Sequence, residues 1–151
     1  MKNVIINIKG TQCYEQDSDV TEFTTAGQME IEENKVRLFY NESDEIGAKG
    51  VKTEITISDG KKLQLVRSGG MVGGLTVEKG KRHTCLYNTP YGDFMVGVYG
   101  EAINISLDDM GGKIYLSYTL DVNSGLLSRN IMEIDIKKTK VDFYILKGIV
   151  E

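Results

Sequence analysis

The stretch GKRHTCLYNTPYG, residues 80–92, holds the only histidine, the only proline and one of the two cysteines of the chain. Its residue types suggest a thiol nucleophile beside a base. On a strand, however, His83 and Cys85 stand at i and i+2, with Cβ atoms about 6–7 Å apart. That exceeds the roughly 2.6–3.2 Å that a base needs to activate a nucleophile, and no third group is placed to orient His83. A metal fares no better, because a zinc site takes several His, Cys or acidic ligands and Cys13 is far from Cys85 in sequence. One histidine suffices for a haem, yet nothing else in the chain points to one. We therefore expect no catalytic residues, no metal and no cofactor.

Charge offers a different chemistry. Arg67 is in phase with Leu63 and Leu65, so if that phase looks inward, a guanidinium enters the interior. A buried charge is costly unless paired; its partner would be a protein carboxylate or the carboxylate or phosphate of a ligand, held by two parallel hydrogen bonds. Lys79, Lys81, Arg82 and His83 add a local basic cluster. Arg82 shares a face with Thr84 and Leu86, and His83 shares the other with Cys85 and Tyr87. Periodicity leaves open which set faces inward, since a shift of one residue exchanges them. Tyr87 and Tyr118 offer aromatic surface. Asn130, in phase with Met132, Ile134 and Ile136, is expected inside and hydrogen-bonded. The candidate ligand-binding set is thus Arg67, Arg82, His83, Tyr87, Tyr118 and Asn130. The glycines of GGMVGG, residues 69–74, form no phosphate loop, because neither a helix nor a Lys-Ser/Thr pair follows.

The elements that position these residues are strands. Seventeen glycines against one proline favour tight hairpins over interrupted pairing. Turns are expected at Ser58–Lys61, Lys79–Lys81, Thr89–Gly92, Met110–Lys113 and Asn123–Gly125. Between them apolar and polar residues alternate with the period of two that buries one face of a strand. The pattern covers residues 3–12, 22–32, 35–42, 51–57, 62–67, 71–77, 82–88, 94–99, 102–107, 114–122 and 130–136, with no helix before residue 137. A meander of such strands leaves exposed edges unless it closes on itself. The expected fold is all-β, an antiparallel up-and-down barrel of about 8–10 strands. Asn41–Gly50 reads as an acidic loop.

The stretch RSGGMVGGLTVEKGKRHTCLYNTPYG, with IKGTQ at 8–12 and GGKIYLSYTLD at 111–121, resembles the YwiB-like family of small bacterial proteins. The likeness runs from about residue 3 to residue 137. It implies a calycin-like barrel, akin in shape to lipocalins and fatty-acid-binding proteins, and brings no activity, since the family is a domain of unknown function. By analogy of fold, a barrel of this kind holds a small apolar or amphipathic ligand.

The 151 residues, 40% hydrophobic, fit one domain with one core: residues 1–137 as the barrel and 138–151 as an apolar extension packed on the barrel or a second subunit. The formal charge of −4 argues against nucleic acid as partner. No segment reaches the ~20 apolar residues of a membrane helix, and no apolar leader is evident. With two cysteines and no paired spacing, the expected compartment is the cytoplasm. The leading functional expectation is a non-enzymatic binder of a small, partly apolar, anionic ligand, with a possible homodimer; the alternative is an interaction or structural module whose barrel is filled by its own side chains, including Leu65, Leu86, Phe94, Ile114, Leu116 and Met132.

Overall fold

The computed structural model describes residues 1–41, 52–68, 73–89, 92–122 and 125–139. The acidic segment 42–51, glycine-rich residues 69–72, Pro90-Tyr91, Asn123-Ser124 and the extension from Lys140 lie outside the described residues, and so do the loop, turn and docking expectations that fall there.

Ten strands follow one another: β1 Lys2–Cys13, β2 Ser18–Glu32, β3 Lys35–Asn41, β4 Lys52–Ser58, β5 Lys62–Ser68, β6 Gly73–Glu78, β7 Arg82–Thr89, β8 Gly92–Asp108, β9 Gly111–Val122 and β10 Gly125–Lys138. Their order in the sheet is β6-β5-β4-β3-β2-β1-β10-β9-β8-β7. Each strand but one pairs antiparallel with the next in sequence, the exception being β6 with β7, and β1 pairs with β10 from Val4↔Lys138 to Cys13↔Arg129. The described residues contain no helix. The result is the all-β, antiparallel, nearly closed barrel that the alternation predicts.

One phase of every strand enters the core. Val4, Ile6, Met29, Leu38, Ile55, Leu63, Val77, Val98, Ile114, Leu116 and Ile134 are fully buried. Each such side chain contributes roughly 1.5–3 kcal/mol relative to an exposed one. Polarity changes along the barrel axis. The end closed by the turns after β2, β4, β6 and β8, here the turn end, has an apolar interior. At the opposite, loop end, inward positions are occupied by Gln12, Thr21, Tyr40, Thr53, Arg67, Tyr118, Ser128 and Asn130.

Two bulges correct the strand boundaries read from sequence. β8 is one strand of 17 residues where alternation suggested two, 94–99 and 102–107. The ladder to β9 shifts between Gly100 and Ala102, so the inward phase passes from Val96 and Val98 to buried Ile103 and part-buried Ile105. The extra residue reverses the phase without ending the strand. A second shift, between Leu126 and Ser128, starts β10 earlier than the sequence pattern does and leaves Leu126 and Leu127 exposed.

Closure occurs at a seam between β6 and β7. There the pairing is reduced to an isolated bridge, Glu78↔Lys81, at the hairpin turn, and Lys79 of the turn bridges to Gly100 of β8. Gly80 N–H donates to the Gly100 carbonyl at 2.9 Å, and Gly100 N–H to the Lys81 carbonyl at 3.2 Å. A Cβ at residue 100 would run into the Glu78 carbonyl, so only glycine lets β8 approach the hairpin this closely. Beyond the hairpin no ladder joins β6 to β7 among the described residues.

Candidate functional site

Strand register assembles the inward polar residues into two rows. The first crosses three strands: Tyr40 of β3 faces Thr53 of β4, and Thr53 faces Arg67 of β5. Thr53 and Tyr40 are both buried, and the Tyr40 ring packs on Phe23 at a centroid distance of 6.0 Å. Arg67 is part-buried, in the same phase as buried Leu63 and Leu65, as its spacing predicts. It is engaged in an interaction of its own. A guanidinium carries five donors in a planar fork, so it can keep a protein partner and still receive an anion.

The second row lies on the wall formed by β2, β1, β10 and β9. Asp19 pairs with Gln12, Gln12 with Asn130, and Asn130 with Tyr118. Asn130 is 6% exposed, and its Nδ2 donates to Ser128 Oγ at 3.1 Å. Gln12 Nε2 donates to the same oxygen at 3.3 Å. The expectation that Asn130 faces inward and is hydrogen-bonded holds. A cavity of about 190 Å³ opens beside Gln12, Asp19, Thr21, Tyr118 and Asn130.

Arg67 opens on a different space. A pocket of about 360 Å³ lies in the seam, lined by Leu65, Arg67, Leu75, Thr84, Cys85 and Leu86 among others. Its walls are strands β5 and β6, which share a ladder, and β7, which among the described residues shares none with β6. Arg67 therefore sits where the first polar row reaches the gap, in a lining that mixes Leu65, Leu75, Cys85 and Leu86 with Gln64, Thr76 and Thr84. Cys85 is a buried free thiol there, and Cys13 is a part-buried free thiol.

His83 stands at the other end of the seam. It is on the Cys85 face of β7, and its Nε2 is 2.8 Å from Glu78 Oε1. Lys81 Nζ lies 3.2 Å from the second Glu78 oxygen. These two contacts, His83 first, hold the Glu78 carboxyl below its ordinary range. His83 thus clips the hairpin and spends one ring nitrogen on it.

Arg82 requires a correction. It points outward, half exposed, and donates from Nε and Nη2 to the two Asp121 oxygens at 3.0 and 2.6 Å. The guanidinium lies over Gly97, whose missing Cβ leaves room for it. This clamp across β7, β8 and β9 depresses the Asp121 pKa, the hydrogen bond being the main cause, and raises that of Arg82. Arg82 accordingly lies on the outer wall and cannot be an interior anchor. Leu86 and Phe94, expected to fill the barrel, are 47% and 46% exposed, since Leu86 is in phase with Arg82 and Phe94 lies near the strand start at the loop end. The Tyr87 side chain lies outside the described residues.

The structure thus places Arg67 by the seam, Tyr118 and Asn130 on the second row, and Arg82 outside. Tyr40, Gln12 and Ser128 escaped the sequence reading. Their signal was present as a switch from apolar to polar residues within one phase, Ile6-Ile8-Gly10-Gln12 on β1 and Leu38-Tyr40 on β3. Among the described residues no group of three His, Cys, Asp or Glu side chains is placed to hold a metal ion, and no helix is long and apolar enough to cross a membrane.

Comparison with known proteins agrees with this architecture. The chain is 27% identical over 119 residues to the uncharacterized β-barrel protein YwiB of Bacillus subtilis (strain 168), covering 79% of this chain and 82% of that protein. The crystal structure of the ywiB protein from Bacillus subtilis superposes with a TM-score of 0.78 at 23% identity, over 92% of this chain and 93% of the other. The model of a domain of unknown function, DUF1934, matches residues 6–134; the chain belongs to this family of YwiB-like β-barrel proteins.

Proposed function

We propose that the protein is a non-enzymatic binder of a small, partly apolar anion, seated in the seam between β6 and β7 with Arg67 as its polar anchor. One observation carries the reading: the pocket of about 360 Å³ brings Arg67 together with Leu65, Leu75, Cys85 and Leu86. Its volume lies in the range of small-molecule sites, roughly 300–1,000 Å³. At about 30 Å³ per water it has room for roughly a dozen heavy atoms, which suits a medium-chain carboxylate. The carboxylate takes the Arg67 fork and the chain lies along the apolar walls. A calycin-like barrel and free thiols suited to a reducing cytoplasm are consistent with this role.

The test is displacement of a fluorescent anilinonaphthalene sulfonate by a medium-chain carboxylate and by the alcohol of the same length. The acid should compete at least about tenfold better, the equivalent of 1.4 kcal/mol, and Arg67→Met should erase the difference while Arg67→Lys keeps part of it. Equal competition by acid and alcohol on the unmodified protein would sink the proposal.

A second reading, an interaction module, is favoured by the free edges of β6 and β7, which present backbone N–H and C=O groups to an added strand. A neutral extended peptide that displaces the probe equally from the unmodified protein and from Arg67→Met would select it.

A further inference from the structure

Gly10 is an inward position of β1 left without a side chain. It shares its phase with buried Ile6 and Ile8 and with part-buried Gln12, and it pairs with Thr21 on β2 and Met132 on β10. Glycine inside a strand marks a bulge, a positive φ, or the close approach of a backbone or a ligand. Both ladders run through residue 10 without a register shift, and its φ is not positive. A Cβ there would meet the Thr21 hydroxyl at 3.3 Å and no backbone of another strand. The missing side chain instead opens the cavity of about 190 Å³ beside the second polar row.

That cavity is furnished for hydrogen bonding. Gln12 and Asn130 face each other across β1 and β10, with Cβ atoms about 4.5–5.5 Å apart. Each donates one N–H to Ser128 Oγ, and each still carries a second N–H and a carbonyl oxygen. Asp19 and Thr21 are exposed and mark the side open to solvent, while Met132 contributes apolar surface. The lining holds no Lys or Arg, so nothing there balances an anion. Groups that both donate and accept match hydroxyls, which do the same. At about 30 Å³ per water the space takes roughly six heavy atoms, the size of a three-carbon triol or of the terminal diol of a larger polyol.

We infer that the second polar row is a binding site of its own for a small neutral polyol, whose hydroxyls bridge Gln12, Asn130 and Thr21 and whose carbons rest on Met132 in the space left by Gly10. The site stands apart from the seam: Gly10 and Asn130 belong to the β1–β10 pair, whereas the Arg67 pocket is walled by β5, β6 and β7.

The test is a glycerol titration of the full chain, read in the side-chain amide resonances of Gln12 and Asn130. Both should shift along one saturable curve. Pentanol, with as many heavy atoms but one hydroxyl, and propylammonium, which answers only to Asp19, should each bind at least about tenfold more weakly, because they leave amide groups unpaired. Gly10→Val fills the space and should weaken glycerol by a similar factor. Gly10→Ala, which asks only a slight movement of Thr21, should weaken it less, and it replaces the valine variant if circular dichroism shows that valine disturbs the sheet. A medium-chain carboxylate should leave both resonances in place, so that failure of the seam site and failure of this one are told apart. Shifts that stay linear in glycerol, or that are equal in the unmodified chain and the Gly10 variants, would show a cavity that holds water alone and overturn the inference. Tighter binding of propylammonium, or displacement of glycerol by the carboxylate, would overturn it too.

Discussion

At the residue scale, the polar side chains divide by what they can still do. Ser128 accepts from both Asn130 and Gln12 while only 2% exposed. Ser128→Ala therefore removes a shared acceptor from one buried and one part-buried amide, and is expected to cost about 1–3 kcal/mol, read as a lower urea midpoint at unchanged slope. The carboxylates Asp121, Glu78 and Asp109 are held below their ordinary values by Arg82, by His83 and Lys81, and by Lys2 respectively. A carboxyl whose pKa is depressed in the folded state binds protons more readily when unfolded. Its contribution is complete above the unfolded values, 4.5 for Glu78 and 3.8 for the two aspartates, and is lost as the pH falls through the lower folded values. Melting temperature should thus be flat near neutrality and decline below those values. In Asp121→Asn the acid decline should be shallower; an unchanged pH profile would show that the Arg82 clamp adds nothing to stability.

At the element scale, the hairpin between β6 and β7 depends on how closely β8 approaches it. Gly100 exchanges hydrogen bonds with Gly80 and Lys81 against the Glu78 carbonyl. Gly100→Ala forces that carbonyl away and is expected to cost about 1–3 kcal/mol, as overpacking does, whereas Gly60→Ala, at an exposed turn with nothing near its Cβ position, should disturb no packing. Comparing the amide resonances of residues 78–82 in the two variants separates a local opening of the seam from general weakening. The same elements show what the sequence could reveal. Alternation on β1, β4, β9 and β10 located those strands because each keeps one phase along most of its length. β8 was divided in two because its bulge exchanges the phases, and periodicity cannot distinguish a flipped strand from a broken one. For the site, Arg67 was legible from Leu63 and Leu65 in its own strand. The face of Arg82 was not, because it is fixed by partners on other strands: Asp121 on β9 and Gly97 on β8. The seam was equally hidden, since missing pairing between two good strands leaves no mark in either.

At the scale of the whole molecule, the barrel is stitched unevenly. β1 and β10, at opposite ends of the chain, share a ladder from Val4↔Lys138 to Cys13↔Arg129, while among the described residues consecutive β6 and β7 are joined only by the Glu78↔Lys81 bridge at their turn. Protection from hydrogen exchange should follow the pairing, because amides open with free energies that rise from unpaired edges to the fully laddered core. Amides of β1, β9 and β10 at Ile6, Leu116 and Ile134 respectively are expected to exchange only with global unfolding. Those of β6 and β7 that point into the seam should exchange fastest among the strands. An anionic amphiphile bound at Arg67 adds a further discrimination. In the site proposed above it would lie between Leu75 and Cys85, so it should slow exchange at 74–76 and 84–86 and leave the β1–β10 rates tied to the overall gain in stability. Seam amides as protected as those of β1 in the free protein would mean that β6 and β7 pair along their whole length in solution, and the pocket around Arg67 would then have no entrance.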